Sequence, residues 1–199
     1  VKWSYFAISM AVGIAGVVIA RAGHKKIPTS QTALDKNIDS VEKALKGCDT
    51  LYFTAAYFAH WAPDPKMLYD VNVGGTKASL QAAREAGVEK VIYTSTNNAI
   101  ADSGPVPANE ERAFNYWASG DHYSMSKYIA ENEARIFVTR GLPLVFVNPT
   151  LVIGTNDVKP TPSGQMIIDV ITQKMPGYID GGINIIDVDD VARGHLLAA

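Results

Sequence analysis

Tyr123 and Lys127, in the run Tyr123-Ser124-Met125-Ser126-Lys127, stand four residues apart, the spacing of neighbours on one helix face. A phenol in water titrates near about 10 and carries protons poorly at neutral pH. A cation one helical turn away favours the phenolate and brings the group toward the working range of an acid–base catalyst. The bare pattern also arises by chance on exposed helices, so its neighbours decide its meaning. The apolar run Val91-Ile92-Tyr93-Thr94 leads into the hydroxyls of Ser95 and Thr96, and a later one ends in Asn148-Pro149-Thr150. Proline cannot continue a central ladder, so the second run stops there. A hydroxyl pair, a Tyr/Lys helix and an Asn-Pro turn are thereby delivered to one side of a sheet.

Elements to hold these groups are legible on either side of them. Thr50 to Ala56, after Gly47-Cys48-Asp49, is short and apolar, as expected of a strand buried on both faces. A proline-bearing loop, His60 to Pro65, precedes a helical pattern from Met67 to Ala86, closed by Gly87. Val88 to Thr94 is the next strand, residues 97–121 read as a long loop, Tyr123 to Thr139 as a helix stopped by Gly141, and Leu142 to Val147 as a strand. Strands alternating with helices indicate βαβ units, hence an α/β fold with a doubly wound parallel sheet. Ligands of such sheets sit at the carboxyl ends of the strands.

Composition removes several classes of function. Of 199 residues 47% are hydrophobic and 19% charged, enough for a substantial core. Lys and Arg number 18 against 20 Asp and Glu, a net charge of -2, which offers no footprint for nucleic acid. The one cysteine, Cys48, excludes an intramolecular disulfide and a cysteine-based zinc site and fits a reducing cytoplasm. His24, His60, His122 and His195 lack metal-ligand spacing, and the acidic Asp187 to Asp190 cluster reads as helix capping, so no metal is expected. Trp3 to Ala20 is uncharged and runs into Ala20-Arg21-Ala22, which has the look of a signal-peptidase site. Ser4, Ser9, Gly13 and Gly16 dilute that stretch, and the reading goes against a membrane partner.

Taken in order, Gly47-Cys48-Asp49, Ala55-Ala56, Asn72-Val73-x-Gly75-Thr76, Gly87-Val88, Tyr93-Thr94-Ser95-Thr96, Tyr123-x-x-x-Lys127, Ala130-Glu131, Asn148-Pro149-Thr150 and Asp187-Val188-Asp189-Asp190-Val191-Ala192 resemble the extended short-chain dehydrogenase/reductase family, its NAD-dependent epimerase/dehydratase group. The branch they resemble most is that of dihydroflavonol-reductase-like proteins and hopanoid-associated sugar epimerases. The resemblance implies a Rossmann-type dinucleotide-binding domain over residues 1–150. Residues 151–199 would be part of a small substrate lobe, with a returning strand and helix. It implies NAD or NADP as cofactor, a small-molecule substrate, and hydride transfer at a carbonyl or carbinol carbon. Tyr123 would exchange the proton, Lys127 would lower its pKa and bind the nicotinamide ribose, and Thr96, with Ser95 as fallback, would orient the substrate oxygen. Ala55 and Ala56 would let the chain approach the cofactor, Asn148 and Pro149 would border the nicotinamide, and Asp35 would contact adenine. Asn97 and Trp61 would meet substrate.

The departures are N-terminal. Ser9 to Gly16 takes the place of the pyrophosphate-binding turn; Gly13 and Gly16 are kept, but Met10 stands where the first glycine belongs. Phe53 stands where the family often has histidine. Val17 to Ala22 gives only a short helix before Gly23, and the interval to Asp35 falls below the roughly 30 residues that a helix, two strands and their loops need. The expectation is that the numbering closes over a missing stretch, the alternative being a shortened cofactor lobe. Carbonyl reduction is the first reading of function, and sugar-nucleotide epimerisation or dehydration the alternative. A non-catalytic dinucleotide sensor is the second alternative, opposed by the intact Tyr123/Lys127 pair. Lys25-Lys26 is a hint of a 2′-phosphate and no more. The resemblance also implies a homodimer in which the Met67–Ala86 and Tyr123–Thr139 helices pair across a two-fold axis; sedimentation of the full-length protein should give a dimer, and a monomer at high concentration would count against it.

Overall fold

The computed structural model describes Val18–Arg21, Lys25–Lys26 and the chain from Ile38 onward, apart from residues 60–61, 102–103, 105, 156, 158–159 and 178–179. Three parallel strands form the centre: β3 (Thr50–Phe53), β4 (Lys90–Thr94) and β5 (Leu144–Val147), β1 and β2 being the two short strands described below. Their register sets Phe53 beside Tyr93 and Tyr93 beside Phe146. The three rings make a row, with Phe53 stacked on Tyr93 at 5.5 Å and Phe146 edge-on at 5.6 Å. Leu51, Val91, Ile92 and Tyr93 are fully buried, as uninterrupted apolar runs must be when both sheet faces are covered.

The first described residues correct the expected short helix at Val17 to Ala22. Val18–Arg21 is strand β1, antiparallel to β3 with Val18 opposite Phe53, and Lys25–Lys26 is strand β2 on its outer side. The outer edge of β3 would otherwise present unpaired N–H and C=O groups, and an antiparallel partner reaches it without a helical crossover. The sheet order β2-β1-β3-β4-β5 is therefore mixed, parallel at its core with an antiparallel edge. The remainder of the interval from Gly16 to Asp35, and with it the expected gap, lies outside the described residues.

Helices cover both faces. The Met67–Ala86 pattern forms one continuous rod in three parts: α2 (Lys66–Tyr69), a π-helical turn over Asp70–Gly74, and α3 (Gly75–Glu85). α1 (Ile38–Leu45) and α4 (His122–Thr139) flank α3. Thr76 on α3 meets the Tyr93 hydroxyl at 3.2 Å, which places these helices on the Tyr93 face of the sheet. Thr94 points to the opposite face, where its Oγ1 donates to His195 Nε2 at 2.7 Å. The direction of that bond follows from His195 Nδ1, which donates to the Val191 carbonyl at 2.8 Å. Gly87 and Gly141 sit at positive φ after α3 and α4. There the amides of Val88 and Leu142 close back on Ala83 and Phe137, the left-handed ending that glycine allows.

After β5 the chain leaves the main sheet at Asn148-Pro149-Thr150. β6 (Leu151–Ile153) and β7 (Ile185–Asp187) form a separate parallel pair, with α5 (Pro162–Ile171) between them and α6 (Val188–Ala198) after them. Asp187 caps α6 by accepting from the Asp189 amide at 2.7 Å, the capping role its spacing predicts. His195, on α6, ties this region back to β4. Among the described residues no helix is long and apolar enough to cross a membrane; of the uncharged N-terminal stretch, Val18 to Ala20 are strand and the rest lies outside the described residues.

The π turn is explained by one side chain. Asn72 is buried (2% exposed), accepts from the Tyr57 amide at 2.7 Å and donates to the Tyr57 carbonyl at 3.0 Å. Its amide also reaches Ser126 Oγ on α4 at 2.9 Å. A wider turn aims this amide at two neighbours at once, and such turns concentrate at functional sites. Asn72→Ala leaves both main-chain groups of Tyr57 without their partner, so urea unfolding is expected to show a loss of about 1–3 kcal/mol; an unchanged midpoint would remove Asn72 from the structure's supports.

Candidate active site

The carboxyl ends of β4 and β5 are zipped together beyond their ladder. The Ser95 amide donates to the Val147 carbonyl at 2.8 Å, the Asn97 amide to the Pro149 carbonyl at 3.0 Å, and Asn148 Nδ2 to the Thr96 carbonyl at 3.2 Å. Thr96 is extended, with φ -163° and ψ 153°, and caps a single 3-10 turn, Asn97–Ala99. Its Oγ1 accepts from the Asn98 amide and donates to Asn97 Oδ1, each at 3.3 Å. Asn97, expected to meet substrate, is exposed beside it.

α4 starts where it must for its first turn to reach this point. Asp121 caps it, accepting from the Tyr123 amide at 3.1 Å and from the Ser124 hydroxyl. Ser126 donates to the Tyr123 carbonyl at 2.8 Å, so the Asn72 network runs from the loop after β3 into the turn that carries Tyr123. The Tyr123 side chain shares a hydrogen bond with that of Thr96, and the edge of Phe58 lies against its ring at 4.8 Å. One turn on, Lys127 is 2% exposed. Its Nζ donates to the Thr94 carbonyl at 3.1 Å and lies 5.5 Å from the centre of the Tyr93 ring, within cation–π range. Tyr123, Lys127 and Thr96 are thus brought together.

Burial governs both titrations. It pushes the Tyr123 phenol up to about 12, an effect partly offset by the Thr96 hydrogen bond and reinforced by the Asp121 charge. It brings the Lys127 ammonium down to about 8, against the opposing pull of Glu131. At neutral pH the phenol is protonated and the ammonium charged. Burial is the largest influence on the Tyr123 phenol, because a phenolate loses its hydration when it is taken out of water.

Ala55 is buried and Ala56 partly so, just past the end of β3 and next to the Tyr57 segment that Asn72 anchors. Small side chains there leave the main chain approachable. The Lys127 ammonium has more donors than its bond to Thr94 uses, and these match the hydroxyls of a ribose. The residues at this end of the site fit the nicotinamide half of a dinucleotide. Gly13, Gly16, Asp35 and Trp61 lie outside the described residues. The Asn148 amide, expected beside the nicotinamide, is committed to Thr96 and, at 3.0 Å, to Glu131.

Two residues in the network, Asn72 and Glu131, carry no role in the sequence reading. Glu131 had a detectable signal, an acid one helical turn from Lys127. Asn72 had one as well, a polar side chain at helical spacing from buried Leu68 and Gly75.

Residues 19–199 match the NAD dependent epimerase/dehydratase family. A Synechocystis sp. protein, provisionally named as a dihydroflavonol 4-reductase, is 38% identical over 178 residues, covering 87% of this chain and 51% of that protein. The crystal structure of gox2253 superposes with a TM-score of 0.76 at 43% identity, over 83% of this chain and 51% of the other. A nucleoside-diphosphate-sugar epimerase from Pseudomonas aeruginosa gives 0.66 at 26%, over 81% and 50%. The chain spans about half the length of the relatives it matches. With its Rossmann-type sheet and a match over nearly its whole length, the chain belongs to the NAD-dependent epimerase/dehydratase family, a family of enzymes.

Proposed function

We propose that this chain carries the acid–base centre of an NAD(P)-dependent oxidoreductase of the extended short-chain dehydrogenase kind, reducing a carbonyl in the manner of a dihydroflavonol reductase. The observation that carries the reading is the hydrogen bond between Tyr123 and Thr96 at the end of β4, with the buried Lys127 ammonium one turn away. Thr96 Oγ1 and the Tyr123 hydroxyl converge on a carbonyl oxygen from two sides. The phenol, held protonated by burial, gives its proton to that oxygen as negative charge develops. Lys127 directs its remaining N–H groups at the nicotinamide ribose and stabilises the phenolate left behind. Bound NAD(P)H supplies the hydride. With the dinucleotide bound, Gly13 and Gly16 would seat the pyrophosphate, Asp35 would meet adenine, Ala55, Ala56 and Pro149 would border the cofactor, and Asn97 and Trp61 would line the substrate side.

Two experiments test this reading. With dihydroquercetin as substrate and NADH or NADPH supplied in parallel, the full-length protein should reduce the ketone, and Tyr123→Phe should lose roughly 100-fold or more in turnover. A Tyr123→Phe protein as active as the parent would remove Tyr123 from the acid–base role, a parent that binds the dinucleotide but turns over neither substrate would favour the sensor, and turnover of a UDP-sugar alone would favour the epimerase. The second experiment concerns stability. Lys127 gives up its proton near 8 in the folded chain, whereas lysine ordinarily does so near 10.5. Between those values the unfolded state binds more protons, so raising pH favours the folded state. Urea unfolding should therefore show the wild type gaining on Lys127→Met across this range; parallel pH dependence of the two would mean that the ammonium is not buried.

A further inference from the structure

Glu131 is a buried acid that the proposed chemistry does not use. It sits one helical turn beyond Lys127 on α4, with only 7% of its surface exposed. Both carboxylate oxygens are engaged away from Lys127: Oε1 accepts from Arg135 Nη2 at 2.6 Å and Oε2 from Asn148 Nδ2 at 3.0 Å. Asn148 in turn donates to the Thr96 carbonyl. Glu131 thus ties the Asn-Pro turn after β5 to the helix that carries Tyr123 and Lys127. A carboxylate is seldom buried without such partners, and these partners hold it at a fixed position where little solvent screens it from the ammonium.

Resting on the reading above, we propose that Glu131 is a positioning residue of the acid–base centre, a fixed negative charge that keeps Lys127 an ammonium and thereby able to hold the nicotinamide ribose. Among the described residues, the groups facing this pair come from three elements. From α4 come Tyr123, Lys127 and Arg135; from β4 come the Thr94 carbonyl and the Tyr93 ring and phenol; from the end of β5 comes the neutral Asn148. The Tyr93 phenol is pushed upward, by burial first, so it stays neutral across the range in which Lys127 titrates. Arg135 is half-exposed and partly neutralises Glu131 from the solvent side. The sign at Lys127 follows: burial lowers its pKa and the Glu131 charge raises it. Removing the acid moves the loss of the ammonium to lower pH, and removing Arg135 moves it to higher pH.

The test uses the full-length protein, with NADH and NADPH each titrated by fluorescence as a function of pH. The wild type should bind more weakly as pH rises through about 8, and Lys127→Met should lack that limb. In Glu131→Gln, which keeps the shape and an acceptor, the limb should move down by about half a unit or more. In Arg135→Met, a change near the surface that does not depend on Glu131→Gln folding, it should move up. A limb in its wild-type place in Arg135→Met, or in folded Glu131→Gln, overturns the role of Glu131 and leaves the cofactor reading standing. A limb that persists in Lys127→Met overturns the assignment of Lys127 to the ribose. A wild type that binds neither nucleotide at any pH overturns the cofactor reading itself, and this inference with it.

Discussion

An ammonium group taken out of water is the constraint around which this site is built. The cost of burying Lys127 is met by three features that differ in kind: a main-chain acceptor at Thr94, the face of the Tyr93 ring, and the field of Glu131. Each requires another part of the fold to be in register. The Thr94 carbonyl is available because it lies at the last rung of β4, where Thr94 still pairs with Val147. The Tyr93 ring is held by Phe53 and Phe146 from the two neighbouring strands. Glu131 is held by a turn that begins one residue after β5 ends.

Strand β4 and the two residues after it do most of this work. Successive side chains point to opposite faces, so Tyr93 meets α3 through Thr76 while Thr94 meets α6 through His195. The chain then leaves the ladder, and Thr96 turns its hydroxyl to Tyr123. One short segment thereby links the helices of one face, the helix of the other, and the Tyr123 hydroxyl. A change in the docking of α6 therefore has a direct route to the carbonyl that Lys127 uses. Ser95 Oγ, by contrast, is buried with no hydrogen-bond partner among the described residues.

The juxtaposition of Tyr123 and Lys127 was legible in the sequence because it depends on short-range periodicity. Tyr123 and Lys127 share a helix face by spacing alone. Strand ends are marked by hydroxyls, by proline and by the change of hydrophobic period, so the parallel β3, β4 and β5 and the helices between them could be placed to within a few residues. Gly87 and Gly141 marked the helix ends because only glycine adopts their conformation cheaply.

What sequence could not carry are interactions whose partners lie far apart in the chain or whose outcome turns on competition. Asn72 meets Tyr57 and Ser126, 15 and 54 positions away, and no local pattern announces a π turn that exists to make those bonds. His195 finds Thr94 across 101 positions. Val18–Arg21 is compatible with a short helix or a strand, and the open edge of β3 decided for the strand. Burial likewise set the protonation of Tyr123 and Lys127: their spacing named the pair, but only the packed structure determines how much water each has lost. The sequence by itself determined which groups could react and on which side of the sheet they stand, because helix and strand periods are properties of the local chain. The tertiary structure decided which acids, amides and rings surround them, because desolvation and long-range hydrogen bonds exist only once the chain has folded.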